Sequence, residues 1–78
     1  MKIEILGTGC AKCRRLEENV RKAVKEAGVQ AEIVKVEDLD AIIGRGVMMT
    51  PALLIDGQPR AVGRVPGLEE IKRMIKGE

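Results

Sequence analysis

The chain contains no phenylalanine, tyrosine, tryptophan or histidine. Without aromatic rings its core must be built from Ile, Leu, Val, Ala and the four Met residues. The absence also removes the base-stacking platforms on which single-stranded nucleic acids lie. The net charge of +2 exerts little pull on polyanions, so a nucleic-acid role is disfavoured. With no His and only two Cys, one chain cannot supply the four ligands of a structural zinc site. Long apolar runs are missing too. Ala52-Leu53-Leu54-Ile55 is far short of the roughly 20 residues that a membrane span needs, and the amino terminus lacks a signal peptide's basic-then-apolar layout.

What is present is a globular composition, 45% hydrophobic and 33% charged over 78 residues. That length accommodates one small domain, expected over residues 1–78, of a size that buries only about 60% of its unfolded surface. The expected state is a cytoplasmic monomer with no partner in the membrane.

The hydrophobic pattern divides the chain into seven elements. Lys2 to Leu6 reads as a strand that ends at Gly7-Thr8-Gly9. After Cys10, apolar residues recur at spacings of three and four (Cys13, Leu16, Val20, Ala23, Val24, Ala27) and predict an amphipathic helix stopping at Gly28. Ala31 to Val36 predicts a second strand, parallel to the first by the right-handed crossover rule. Glu37 to Ile43 predicts a short helix with Leu39, Ile42 and Ile43 on its inner face, ended by Gly44 to Gly46. Ala52 to Ile55 predicts a buried strand, and Asp56-Gly57 a hairpin into Gln58 to Val62, which Pro59 marks as an edge. A last helix is expected from Pro66 or Gly67 to Lys76. The fold class is α/β, β-α-β-α-β-β-α, with a mixed four-stranded sheet and three helices.

The two cysteines, Cys10 and Cys13, stand at the first strand-to-helix junction. Residues i and i+3 on one helix face meet the Cα separation of about 4.4–6.8 Å that a disulfide requires. The same pair suits one soft metal ion. As a staple it closes too small a loop to restrict the unfolded chain much. Its use is therefore chemical, as a redox dithiol or a metal carrier. In the redox reading Cys10 is the nucleophile, its thiolate favoured by the helix N-terminus and by Lys12, Arg14 and Arg15. Cys13, in phase with Leu16 and Val20, is the resolving thiol.

Three separated features together resemble the thioredoxin-like fold family: Cys10-Ala11-Lys12-Cys13, Thr50-Pro51 before the third strand, and Val62-Gly63 closing the fourth. More narrowly, the short length and the Gly-Thr-Gly-Cys lead-in resemble the small redox-active disulfide proteins of prokaryotes. The resemblance implies a thiol–disulfide oxidoreductase acting on disulfide-containing protein substrates, recharged by an upstream thiol reductase and using no cofactor. It implies a cis bond at Pro51, with Thr50, Pro51, Met49 and Gly63 receiving substrate. It implies that Glu4, six residues before Cys10, carries a proton for Cys13; the bland alternatives are that Glu4 reaches water or pairs with a lysine. Ala11 and Lys12, between the cysteines, are expected to tune thiolate stability. Met48 and Met49 read first as fillers of a core without aromatics, and otherwise as a soft receiving patch.

The chief rival is a Cu(I) or soft-metal chaperone of the heavy-metal-associated type, binding through Cys10 and Cys13. Against it stand Thr8 where that family carries Met, an element order ending in a helix, and the Thr50-Pro51 pair. A glutathione-using glutaredoxin is less well matched, because Gly63-Arg64-Val65-Pro66 departs from that family's Gly-Gly-x-Asp segment.

Overall fold

The computed structural model describes residues 1–77; Glu78, the last residue of the expected domain span, lies outside them. The elements follow in the order β1 (Lys2–Leu6), α1 (Ala11–Ala27), β2 (Glu32–Val36), α2 (Leu39–Gly44), β3 (Ala52–Ile55), β4 (Gln58–Val62) and α3 (Leu68–Ile75). The sheet order is β2-β1-β3-β4. β1 is parallel to β2 and antiparallel to β3, and β3 is antiparallel to β4.

Local chemistry accounts for the boundaries. α1 buries Cys13, Leu16, Val20 and Ala23 along one stripe. It stops where Gly28 enters the left-handed region at φ 67° and donates its N–H to the Val24 and Lys25 carbonyls, an ending that glycine adopts without steric cost. Asp56 and Gly57 both have positive φ, 50° and 83°, as the tight hairpin between β3 and β4 requires. Asp38 caps α2 by accepting from the Ala41 N–H at 3.0 Å. Pro59 lies on the edge strand β4, beside a register irregularity at Leu53/Leu54.

Alternation along β1 sorts its residues between two layers. Ile3 and Ile5 point to α1 and α3, joining Leu16, Val20, Leu53, Ile55 and Ile71 in the larger core cluster. Leu6 points the other way, joining Val36, Ile42, Val47, Ala52 and Leu54 beneath α2. Each fully buried Leu or Ile contributes about 1.5–3 kcal/mol of transfer free energy. The expected inner face of α2 requires correction. Ile42 is buried, but Leu39 and Ile43 are 61% and 53% exposed. In a helix of six residues Ile43 stands about 100° round the axis from Ile42, and Leu39, at the first helical position, lies outside the buried cluster beneath it.

Candidate active site

The site is built at the end of the sheet where β1 gives way to α1. Cys10 is the N-cap residue of α1, with extended backbone and an exposed side chain. Cys13 lies one turn in and is buried. Both thiols are free, with Sγ atoms 2.9 Å apart. The Cys10 thiol is held below the usual thiol range, first by the hydrogen bond from the Cys13 side chain and then by backbone N–H groups of Cys13 and Lys12. Cys13 is pushed up, chiefly by burial and then by its hydrogen bond with Cys10. The helix start thus contributes as expected, but Lys12 acts through its main chain, and the leading cause is the partner thiol rather than the neighbouring cations.

Gly7 seats the second cysteine. A Cβ at this position would fall 2.2 Å from Cys13 Sγ, so any side chain there would collide with the sulfur. From the sequence Gly7 reads only as part of a turn. Its alternation with Ile3 and Ile5 puts it on the α1 side, which is the signal that finds it. Beside Cys13, Gly7, Glu17, Lys35 and Glu37 line a shallow surface depression. Glu17 is bound there by Arg21 at 2.9 Å and Lys35 at 3.4 Å. The Arg21 hydrogen bond leads in holding its carboxyl below the usual range.

The register Leu6↔Ala52↔Val62 sets the residues that follow β1, precede β3 and follow β4 in one row at the same end of the sheet. Those residues are Gly7, Pro51 and Gly63. The Thr50–Pro51 bond is cis, as the family resemblance implies, and the Pro51 carbonyl accepts from the Gly63 N–H at 2.8 Å. Gly63 has φ 76°, and a Cβ on it would come within 3.0 Å of the Met49 methyl. Thr50, Pro51, Met49 and Gly63 are neighbours at this end of the sheet, with Met49 and Thr50 exposed, Gly63 half-buried and Pro51 fully buried. Met48 and Met49 are 87% and 60% exposed, which overturns their reading as core fillers. They follow Val47, which occupies the available space beneath α2.

Glu4 is buried at 5% exposure, but it does not stand beside Cys13. It lies on the α2 side of β1, where its Oε2 accepts from Arg45 Nε at 2.6 Å. The partner is thus an arginine 41 residues away rather than a lysine. Arg64, after β4, is engaged by both oxygens of Glu70 at 3.0 and 2.6 Å, so its guanidinium already holds a carboxylate.

Comparison with known proteins agrees with this geometry. The thioredoxin domain family matches residues 1–76. The chain is 48% identical over 75 residues to a thioredoxin of Methanothermobacter thermautotrophicus, covering 96% of this chain and 97% of the relative. It is 47% identical over 74 residues to a thioredoxin of Methanocaldococcus jannaschii, covering 95% and 85%. A probable thioredoxin of Methanothermobacter marburgensis is 35% identical over 82 residues, covering 100% and 95%. By this sequence match and by its β-α-β-α-β-β-α order, the chain belongs to the thioredoxin domain family.

Proposed function

We propose that this protein is a cytoplasmic thiol–disulfide oxidoreductase that reduces disulfides in partner proteins. The observation that carries the reading is the polarised pair: an exposed Cys10 with its thiolate favoured, 2.9 Å from a buried Cys13. The thiolate is the attacking species in disulfide exchange. Cys10 Sγ attacks one sulfur of the substrate disulfide; that S–S bond breaks and a substrate thiolate leaves. Cys13 then loses its proton to solvent and attacks Cys10 Sγ. The Cys10–Cys13 bond forms, the mixed disulfide breaks, and the second substrate thiolate leaves. Two electrons have passed to the substrate, and an upstream thiol reductase returns them.

The exposed Met49 and Thr50, with half-buried Gly63 and buried Pro51 beside them, support docking of an extended substrate segment. The occupied guanidinium of Arg64 speaks against glutathione as the thiol. The helix α2 between β2 and β3, absent from the βαββαβ order of a heavy-metal-associated domain, speaks against the copper-chaperone reading.

The test is a redox titration of the pair against a thiol buffer, with insulin reduction followed in Cys10→Ser and Cys13→Ser proteins. Cys10→Ser is expected to abolish reduction, and Cys13→Ser to accumulate a mixed disulfide visible by mass. A pair that never closes reversibly, yet holds one Cu(I) tightly in competition with a chelator, sinks the proposal.

A further inference from the structure

Glu4 is the one buried charged residue among those described, and the thiol chemistry above makes no use of it. It sits in the middle of β1, opposite Val34 of β2 and Leu54 of β3, both of which pack in the small cluster beneath α2. A carboxylate in such surroundings is strongly disfavoured unless paired and hydrogen-bonded. Arg45 does this, and its Nη1 simultaneously donates to the Ala41 carbonyl at 3.0 Å. One guanidinium therefore grips the central strand and the last turn of α2 together.

Arg45 is also where α2 stops, and the chain from there runs directly to Thr50-Pro51. Gly46 turns it at φ 76°, and Val47 plugs into the small cluster at 2% exposure. The far end is held by the bond from Gly63 to the Pro51 carbonyl. Met48, Met49 and Thr50 hang exposed between these two fixed ends. Cys13 Sγ lies against Gly7 on the other side of the sheet, so the backbone of β1 separates it from the Glu4 carboxylate.

We propose that Glu4 and Arg45 are positioning residues that fix the Met48–Thr50 segment for polypeptide substrates, with Glu4 acting through Arg45 and not as the proton carrier of Cys13. The inference rests on the oxidoreductase reading and identifies how that site distinguishes a polypeptide disulfide from a small one.

The experiment compares reduction of insulin with that of a small aromatic disulfide, over a range of pH, with dithiothreitol as the electron source. The protein forms are wild type, Glu4→Leu/Arg45→Leu and Glu4→Gln. Apolar replacement of both partners removes the tether without stranding a buried charge. The double variant is expected to raise KM for insulin roughly tenfold, in keeping with the effect of small misplacements remote from the reacting atoms. Its rate with the small disulfide and both pH profiles should match wild type. Glu4→Gln, which keeps an acceptor for Arg45, should raise KM less. If the double variant does not fold, Arg45→Lys carries the same test, since it preserves the charge opposite Glu4 while losing the two-point grip. An unchanged KM for insulin overturns the proposal. So does an equal loss with both substrates, or a shifted pH profile in Glu4→Gln, either of which identifies a proton carrier. Failure of the oxidoreductase reading itself is distinguishable, because the wild-type protein would then reduce neither substrate in a Cys10-dependent way.

Discussion

The two sides of the sheet are built to different specifications. On the α1/α3 side, strand residues meet two helices in an apolar cluster that extends from Ile3 to Ile75. On the α2 side, a helix of six residues contributes Ile42 to a cluster of six buried apolar residues, with a carboxylate-guanidinium pair set into the layer. The thick side carries Cys13, and the thin side carries the root of the loop that leads to Thr50-Pro51. The more extensive packing lies behind the sulfur atoms. The opposite layer holds its loop by the two-point grip of Arg45, a plugged Val47 and the Gly63 bond to the Pro51 carbonyl.

The sharpest way to break this contrast is to open a cavity in each layer. Leu16→Ala, at a fully buried position of α1, should lower unfolding free energy by about 3–5 kcal/mol. Ile42→Ala should lower it by only about 2–3 kcal/mol, because a one-and-a-half-turn helix can settle onto the sheet. Chemical denaturation of both variants checks the difference, and equal losses would erase the distinction between the layers.

A smaller effect is expected at the boundary between them. Gly7→Ala places a methyl in the space of Cys13 Sγ and should cost about 1–3 kcal/mol as overpacking. It should also separate the two sulfurs and so raise the Cys10 pKa, read from ultraviolet thiolate absorbance. A variant with wild-type stability and wild-type titration would show that the seat is not needed.

The finest test isolates the hydrogen bond between the thiols. Because the folded state favours the Cys10 thiolate, its stabilising contribution is present above the ordinary thiol pKa and is lost as pH falls through the lowered value. The rate of Cys10 attack should accordingly rise with pH to a plateau, with a midpoint below that of a free thiol. Cys13→Ala removes the leading cause and should move the midpoint to higher pH. Cys13→Ser keeps an O–H donor and should move it less. Identical midpoints in all three proteins would transfer the effect to the helix N-terminus alone.

Much of this architecture was legible because it is local. The stripe Cys13, Leu16, Val20, Ala23 sets α1, Asp56-Gly57 sets the hairpin, and Cys10 at a strand-to-helix junction sets the dithiol. What escaped depends on distance in sequence. Nothing in Lys2-Ile3-Glu4 distinguishes Arg45 from other cations as the partner, because the pairing exists only once α2 lies across β1. The two methionines looked like core material for a chain without aromatics. Val47 fills the space beneath α2 first, leaving Met48 and Met49 outside. Gly7 resembled any turn glycine until a sulfur was found where its side chain would have been.

That sulfur has a further consequence. Closing the pair requires the sulfur atoms to approach from 2.9 Å to about 2.0 Å, and Cys13, wedged between its helix and the Gly7 backbone, has little room to travel. The motion falls to Cys10 at the rim. In the proposed exchange the dithiol is a contact with one fixed and one moving pole, whose change of oxidation state asks no movement of the interior.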